Sequence, residues 1–149
     1  MNTTLFDIAQ RFVGTKEVPG SKSNPMVLSM LKLDGDWPED DSVPWCSAFA
    51  NYCAWLLRLP RSKSLRARSW LQVGRHINLE DAVVGFDVVI LSRGSGVQPG
   101  PEVIDAPGHV GIFAGVKGDN VLILGGNQGD AVSVAPYRKE RLLGIRRLA

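Results

Sequence analysis

Beyond residue 85 the sequence changes its period. Five short runs rich in Val, Ile and Leu follow one another, FDVVIL (86–91), HVGIFAGV (109–116), NVLILG (120–125), AVSVAPY (131–137) and LGIRRL (143–148), separated by Gly, Asp and Asn. That is the pattern of strands joined by turns. The first half carries helical spacing instead. Leu5, Ile8, Ala9 and Phe12 share one face of residues 3–13 behind Thr3 and Thr4, and a second short helix is expected from about Pro25 to Lys32. The most apolar helix runs from Pro44 to Leu59, where Pro60 stops it, and ARSWLQVG reads as a short helix ending at Gly74. Helices first and strands afterwards is an α+β order, with an antiparallel sheet packed on the hydrophobic helix.

The 149 residues, 44% hydrophobic and 21% charged, suit one compact domain over 1–149 and exclude a disordered or collagen-like chain. A net charge of +2 does not announce a nucleic-acid binder. The charge is uneven: DGDWPEDD (34–41) carries five acids and no base, RLPRSKSLRAR (58–68) five bases and no acid. The second stretch could attract an anionic wall polymer, although charge runs more often form solvated faces. The start, MNTTLFDIAQRF, lacks the basic and apolar regions of a secretory signal, and no segment approaches the ~18 apolar residues of a membrane span. The expectation is a soluble chain made in the cytoplasm, without membrane insertion, that another system must carry to any target outside.

Cys46 and Cys53 are seven residues apart in one expected helix, about 10.5 Å along its axis. A disulfide needs Cα atoms within about 7 Å, so they cannot pair, and their spacing to His76 and His109 matches no zinc-finger pattern. Cys53 falls mid-helix, where a thiol behaves as a small hydrophobe. Cys46 falls at the helix start: Val43 precedes a proline and should lie outside the helix, Pro44 should be its first residue and Cys46 its third. Free backbone N–H groups there favour a thiolate and can donate to a substrate oxyanion. The helix is apolar nearly all round, with Ser47, Asn51 and Arg58 as one narrow polar stripe, so it should be buried.

A nucleophilic cysteine needs a base. His109 opens a strand, with Gly111 and Phe113 on its face and Gly111 leaving space beside the ring, whereas His76 sits among polar residues and reads as a surface histidine. A third polar group should fix the imidazole tautomer. Asn127, at the end of the next strand in ILGGNQG, lies close to His109 if 109–116 and 120–125 form an antiparallel hairpin. Between the first two strands, the seventeen residues 92–108 are rich in Gly and Pro and long enough to wall a cleft, with Glu102 and Asp105 as candidate orienting acids.

The blocks PWCSAFANYCAW, GFDVVIL, GHVGIFAG and VLILGGNQ resemble the motifs of the CHAP family (cysteine, histidine-dependent amidohydrolase/peptidase) of the papain-like NlpC superfamily, and GTKEVPGSKSNP and ARSWL resemble a small-protein branch of it. The resemblance implies a papain-like fold, Cys46 as nucleophile, His109 as base and Asn127 as third member. Many members have a glutamate where this chain has Gly125, and Gly85-Phe86-Asp87 interrupts the usual Gly-Asp; Gln128 is therefore a second candidate for the orienting role. The implied substrate is peptidoglycan, cut at the muramoyl–alanine amide or within its peptides, with Trp45, Trp70 and Gln128, and also Trp37, as candidate cleft residues. Some relatives bind calcium before the cysteine, and DGDWPEDD has suitable oxygen ligands but not EF-hand spacing, so no cofactor is expected, with calcium at 34–41 as the alternative. Such a chain would be a monomeric phage-type endolysin, a type VI-secreted effector with an immunity protein as partner, or a catalytically silent wall-binding or virion module.

Overall fold

The computed structural model describes residues 3–18, 24–34 and 45–149. Helix α1 (Leu5–Gln10) opens on a capping box in which Thr4 and Asp7 each satisfy the other's backbone N–H. Helix α2 (Pro25–Leu31) is capped by Asn24, whose side chain accepts from Met26 N at 2.8 Å. Helix α3 (Cys46–Leu56) is shorter at both ends than its apolar pattern. Trp45 is its N-cap, with φ −122° and ψ 18°, and the Trp45 carbonyl accepts the first helical bond from Phe49 N at 2.9 Å. Cys46 is thus the first helical residue rather than the third. The Trp45 ring is fully buried and donates its N–H to Glu17, and the backbone it anchors is not helical. At the other end Arg58 turns left-handed (φ 56°) and Leu59 N closes onto Ala54 O before Pro60 is reached.

Residues Ala67–Gln72 form a 3-10 helix, and six strands follow. They are β1 (Arg75–Ile77), β2 (Asp87–Ser92), β3 (Gly108–Lys117), β4 (Asn120–Gly125), β5 (Ser133–Arg138) and β6 (Leu142–Arg147), in the order β1-β6-β2-β3-β4-β5 with antiparallel neighbours throughout. The five expected strands are all present, shifted by at most two residues at either end. Strand β1 is additional; its three residues are too short to show a period, and it gains definition only by pairing with β6. Pro136 is tolerated because β5 is an edge strand.

Both faces of the sheet are covered, so β2 is buried at every position and does not alternate. On one face Val88, Ile90, Val110, Ile112 and Leu124 pack with Phe49, Ala50 and Cys53 of α3. The opposite face gathers Val89, Leu91, Phe113, Val121, Ile123 and Ile145. Each such side chain contributes about 1.5–3 kcal/mol on burial. Buried Asp87 takes a bidentate pair from Arg147 at 2.7 and 2.8 Å and accepts from Val83 N, tying β2 to β6. The polar stripe of α3 is buried as well: Asn51 donates to Ser64 O and accepts from Lys63 N, while Ser47 donates to Ser64 O. These bonds fix the basic segment onto α3. Among the described residues no helix is long and apolar enough to cross a membrane.

Candidate active site

Cys46 lies where α3 meets the start of β3. It is 3% exposed, and its thiol is within reach of the backbone N–H groups of Val110, of Ser47 and of its own residue. Burial pushes the thiol pKa up; those N–H groups and the positive charge of Arg93 work in the opposite direction. Cys53, two turns on, is buried in the core, and burial alone pushes its pKa up. Both cysteines are free.

His109 neighbours Val110 and is buried on the face that carries Leu91 and Phe113. The space beside Gly111 does not go to the imidazole: a Cβ there would meet Ile123 Cγ2, with Leu124 O at 3.0 Å, so this glycine lets β3 and β4 approach. His109 Nε2 is 2.8 Å from Gln128 Oε1. The amide orientation of Gln128 is set by its other contacts, since its nitrogen donates to Ser133 O at 2.7 Å and Ile123 O at 3.1 Å. Its oxygen therefore accepts from Nε2–H, and Nδ1 is the ring nitrogen left basic.

The orienting bond thus comes from Gln128 and not from Asn127. Asn127 occupies a left-handed turn position (φ 59°), which directs the chain so that the next side chain folds back under β3. Two glycines make room. A Cβ on Gly125 would sit 2.7 Å from Gln128 Oε1 and 3.5 Å from His109 Nε2; one on Gly126 would sit 2.7 Å from Phe49 Cβ and 2.8 Å from Trp45 Cε3. Gly125, which stands where many CHAP members have glutamate, is the sequence signal for the glutamine.

Tyr137 was not singled out by the sequence. Its hydroxyl is 3.2 Å from His109 Nε2, and the two rings lie 5.1 Å apart. Strand β6 begins at Leu142 opposite Leu91, which itself lies opposite His109, so the chain leaving β5 returns across the start of β3. Ser133 and Tyr137 alternate onto one face of β5, and that period was the available signal. Burial, then the nearby Cys46, pushes the phenol pKa up to about 12. Burial also holds His109 below its ordinary value of 6.5, partly offset by the bond to Gln128 and reinforced by Arg93 and Arg141.

A cleft of about 330 Å³ opens over Cys46, lined by Leu65, Arg66 and Ala67 on one side and by Arg93 and Asp105–Gly108 on the other. The long segment 92–108 walls it as expected, and Asp105 is at its rim. Glu102 is exposed and is not among the lining residues. Arg68, fully buried, holds that wall: it donates to the carbonyls of Pro99, Gly100, Val103 and Pro107. Trp45 and Trp70 do not line the cleft. Both are fully buried, Trp45 bonded to Glu17 and Trp70 to Ser47 Oγ, and both belong to the core under the site. Gln128 likewise turns inward to His109. His76 is exposed on β1, its ring 3.2 Å from Asn78 Oδ1. Trp37 and the acidic segment, apart from Asp34, lie outside the described residues; Asp34 pairs with Arg61 at 2.8 Å. Among the described residues no group of three His, Cys, Asp or Glu could hold a metal ion.

No family model matches the chain, and no curated protein matches it in sequence. Solved structures do. NlpC1 from Trichomonas vaginalis superposes with a TM-score of 0.57 at 16% identity over 97% of this chain. The peptidoglycan hydrolase RipB from Mycobacterium tuberculosis gives 0.56 at 17% identity over 97%. The chain has the papain-like α+β fold of NlpC/P60 proteins. It spans 42% and 62% of those two chains, but 93% of the P60 domain of the M. avium subspecies paratuberculosis antigen MAP1204, which matches with a TM-score of 0.55 at 17% identity over 96% of this chain.

Proposed function

We propose that this protein hydrolyses an amide bond of peptidoglycan, with Cys46 as nucleophile, His109 as general base and Gln128 as the residue that positions His109. The observation that supports the reading is a thiol at the first turn of α3, under an open cleft and against the backbone of Val110, whose chain neighbour is a histidine with its tautomer fixed by a buried glutamine. Support for the substrate comes from the fold shared with a peptidoglycan hydrolase and from the CHAP-like motifs. Those motifs also favour a small lytic enzyme of the endolysin type acting at the cell wall.

Burial raises the Cys46 pKa and lowers that of His109, so the resting pair is a neutral thiol and a neutral imidazole. In the proposed reaction Nδ1 of His109 takes the thiol proton as sulfur attacks the amide carbonyl. Backbone N–H groups at the start of α3 donate to the developing oxyanion. The imidazolium, still donating from Nε2 to Gln128, passes its proton to the departing amine, leaving a thioester on Cys46. Water, deprotonated by His109, then cleaves the thioester to a carboxylic acid and the free thiol.

Digestion of purified peptidoglycan by wild type and Cys46→Ala, with soluble fragments identified by mass spectrometry, tests the reading. Wild type alone should release fragments; new ends at muramic acid mean an amidase, new peptide termini an endopeptidase. Equal release by both proteins, or release by neither, contradicts the proposal.

A further inference from the structure

The cleft over Cys46 carries a charge pattern that bond cleavage itself does not require. Arg66 and Arg93 both line it, both exposed, and neither forms an ion pair among the described residues. Arg93 acts electrostatically on Cys46, His109 and Tyr137 alike, so its guanidinium is close to all three. Arg141 lies behind it, committed to Ser92 O at 2.7 and 3.1 Å and set 5.8 Å from the Tyr137 ring. Among the described residues Asp105 is the one acid lining the cleft, and it pairs with neither arginine.

For the chemistry alone this arrangement cuts both ways: it favours the Cys46 thiolate and opposes the cationic form of His109. His109 must become an imidazolium when it takes the thiol proton, and an uncompensated cation nearby opposes that charge. An anion brought in by the substrate removes the conflict. It must be small, because the cleft is about 330 Å³. Asp105 in the same cleft repels a dianion such as a phosphate monoester more than it repels a single negative charge. Planar guanidinium groups match a carboxylate in both geometry and charge.

From this we infer that Arg66 and Arg93 form a carboxylate-binding subsite, which makes the protein selective for peptides that bear a free carboxylate beside the scissile amide. The inference rests on the hydrolase reading for the place of the scissile bond; the subsite itself can be tested without turnover.

The probes are a peptidoglycan stem tripeptide with a free α-carboxylate and the same peptide with that group converted to the amide. Calorimetric titration into Cys46→Ala protein should show the free acid binding about tenfold more tightly, with the gap narrowing as salt is added. Adding Arg66→Gln and Arg93→Gln to that protein should erase the difference, whereas Arg66→Lys and Arg93→Lys should keep part of it. Circular dichroism checks that these surface variants fold. Equal affinity for the two peptides, binding of neither, or a preference that survives the double Gln variant overturns the subsite. A preference that vanishes with the arginines while wild type cuts neither peptide establishes the subsite and counts against the hydrolase reading instead.

Discussion

The two cysteines of α3 share a helix, are both buried and have pKa values shifted in the same direction, and they differ in what surrounds them. Cys53 is surrounded by apolar side chains, and burial is the whole of its perturbation. Cys46 experiences burial too, but against it stand three backbone N–H groups and a guanidinium, with a histidine one residue from the nearest β3 contact. Depth therefore does not separate the two thiols; the polar groups that meet them do, and on the proposed reading those groups make Cys46 the nucleophile. Chain position determines this, because the first turn of a helix has unpaired N–H groups and the middle has none.

The strongest way to break this comparison is to remove each sulfur in turn. Cys46→Ala should reduce peptidoglycan hydrolysis by about 10³-fold or more, while Cys53→Ala should keep activity within about twofold and cost about 1 kcal/mol of stability for the lost burial. Fragment release and thermal melts give the two numbers.

Next in size is the pair at the turn after β4. Gln128→Ala should lower kcat by about 10–100-fold by freeing the ring of His109. Because the glutamine bond favours the charged ring, its loss should also move the acid limb of the pH–rate profile further down. Asn127→Gly should leave both unchanged, since glycine accepts the left-handed backbone. Equal losses in the two variants would return the orienting role to the asparagine.

This pair also marks the limit of what the sequence could reveal. The α+β order, the five strands and the placing of Cys46 at a helix start and His109 at a strand start follow from period and prolines, all local signals. The choice between Asn127 and Gln128 depends on one left-handed residue and on two glycines that admit backbone against Trp45 and Phe49. Those are tertiary contacts between residues far apart in the chain. The same reason hides the burial of Trp45 and Trp70: an aromatic ring beside a catalytic motif reads alike whether it faces a cleft or fills the core. Tyr137 reaches His109 from β5, which is separated from β3 by β4 in the sheet, and beyond the period of β5 that contact has no local signal.

A smaller effect sharpens the electrostatic side. With His109 held below 6.5, the acid limb of the activity profile should lie at lower pH than an ordinary histidine would give. Stability carries the same sign: the unfolded histidine takes a proton first as pH falls, so the His109 contribution is complete above 6.5 and is lost as pH drops through the lowered folded value. Denaturant midpoints measured from pH 7.5 to 4.5 in wild type and His109→Gln should converge on the acid side. The smallest expected change is at Asn51→Ala. It releases Lys63 N and Ser64 O, so proteolysis should rise within 61–65, with a melting temperature lower by roughly 2–8 °C for a loss of about 1–2 kcal/mol.

The most direct measurement is site-resolved alkylation of the folded protein. A brief iodoacetamide pulse, followed by digestion and mass spectrometry, reports how far each cysteine has reacted, and a parallel sample reports the remaining hydrolytic activity. The account predicts that Cys46 is modified first, through its cleft, and that activity falls in step with that modification while Cys53 stays unlabelled. Activity that survives complete modification of Cys46, or labelling of Cys53 ahead of it, would contradict the account.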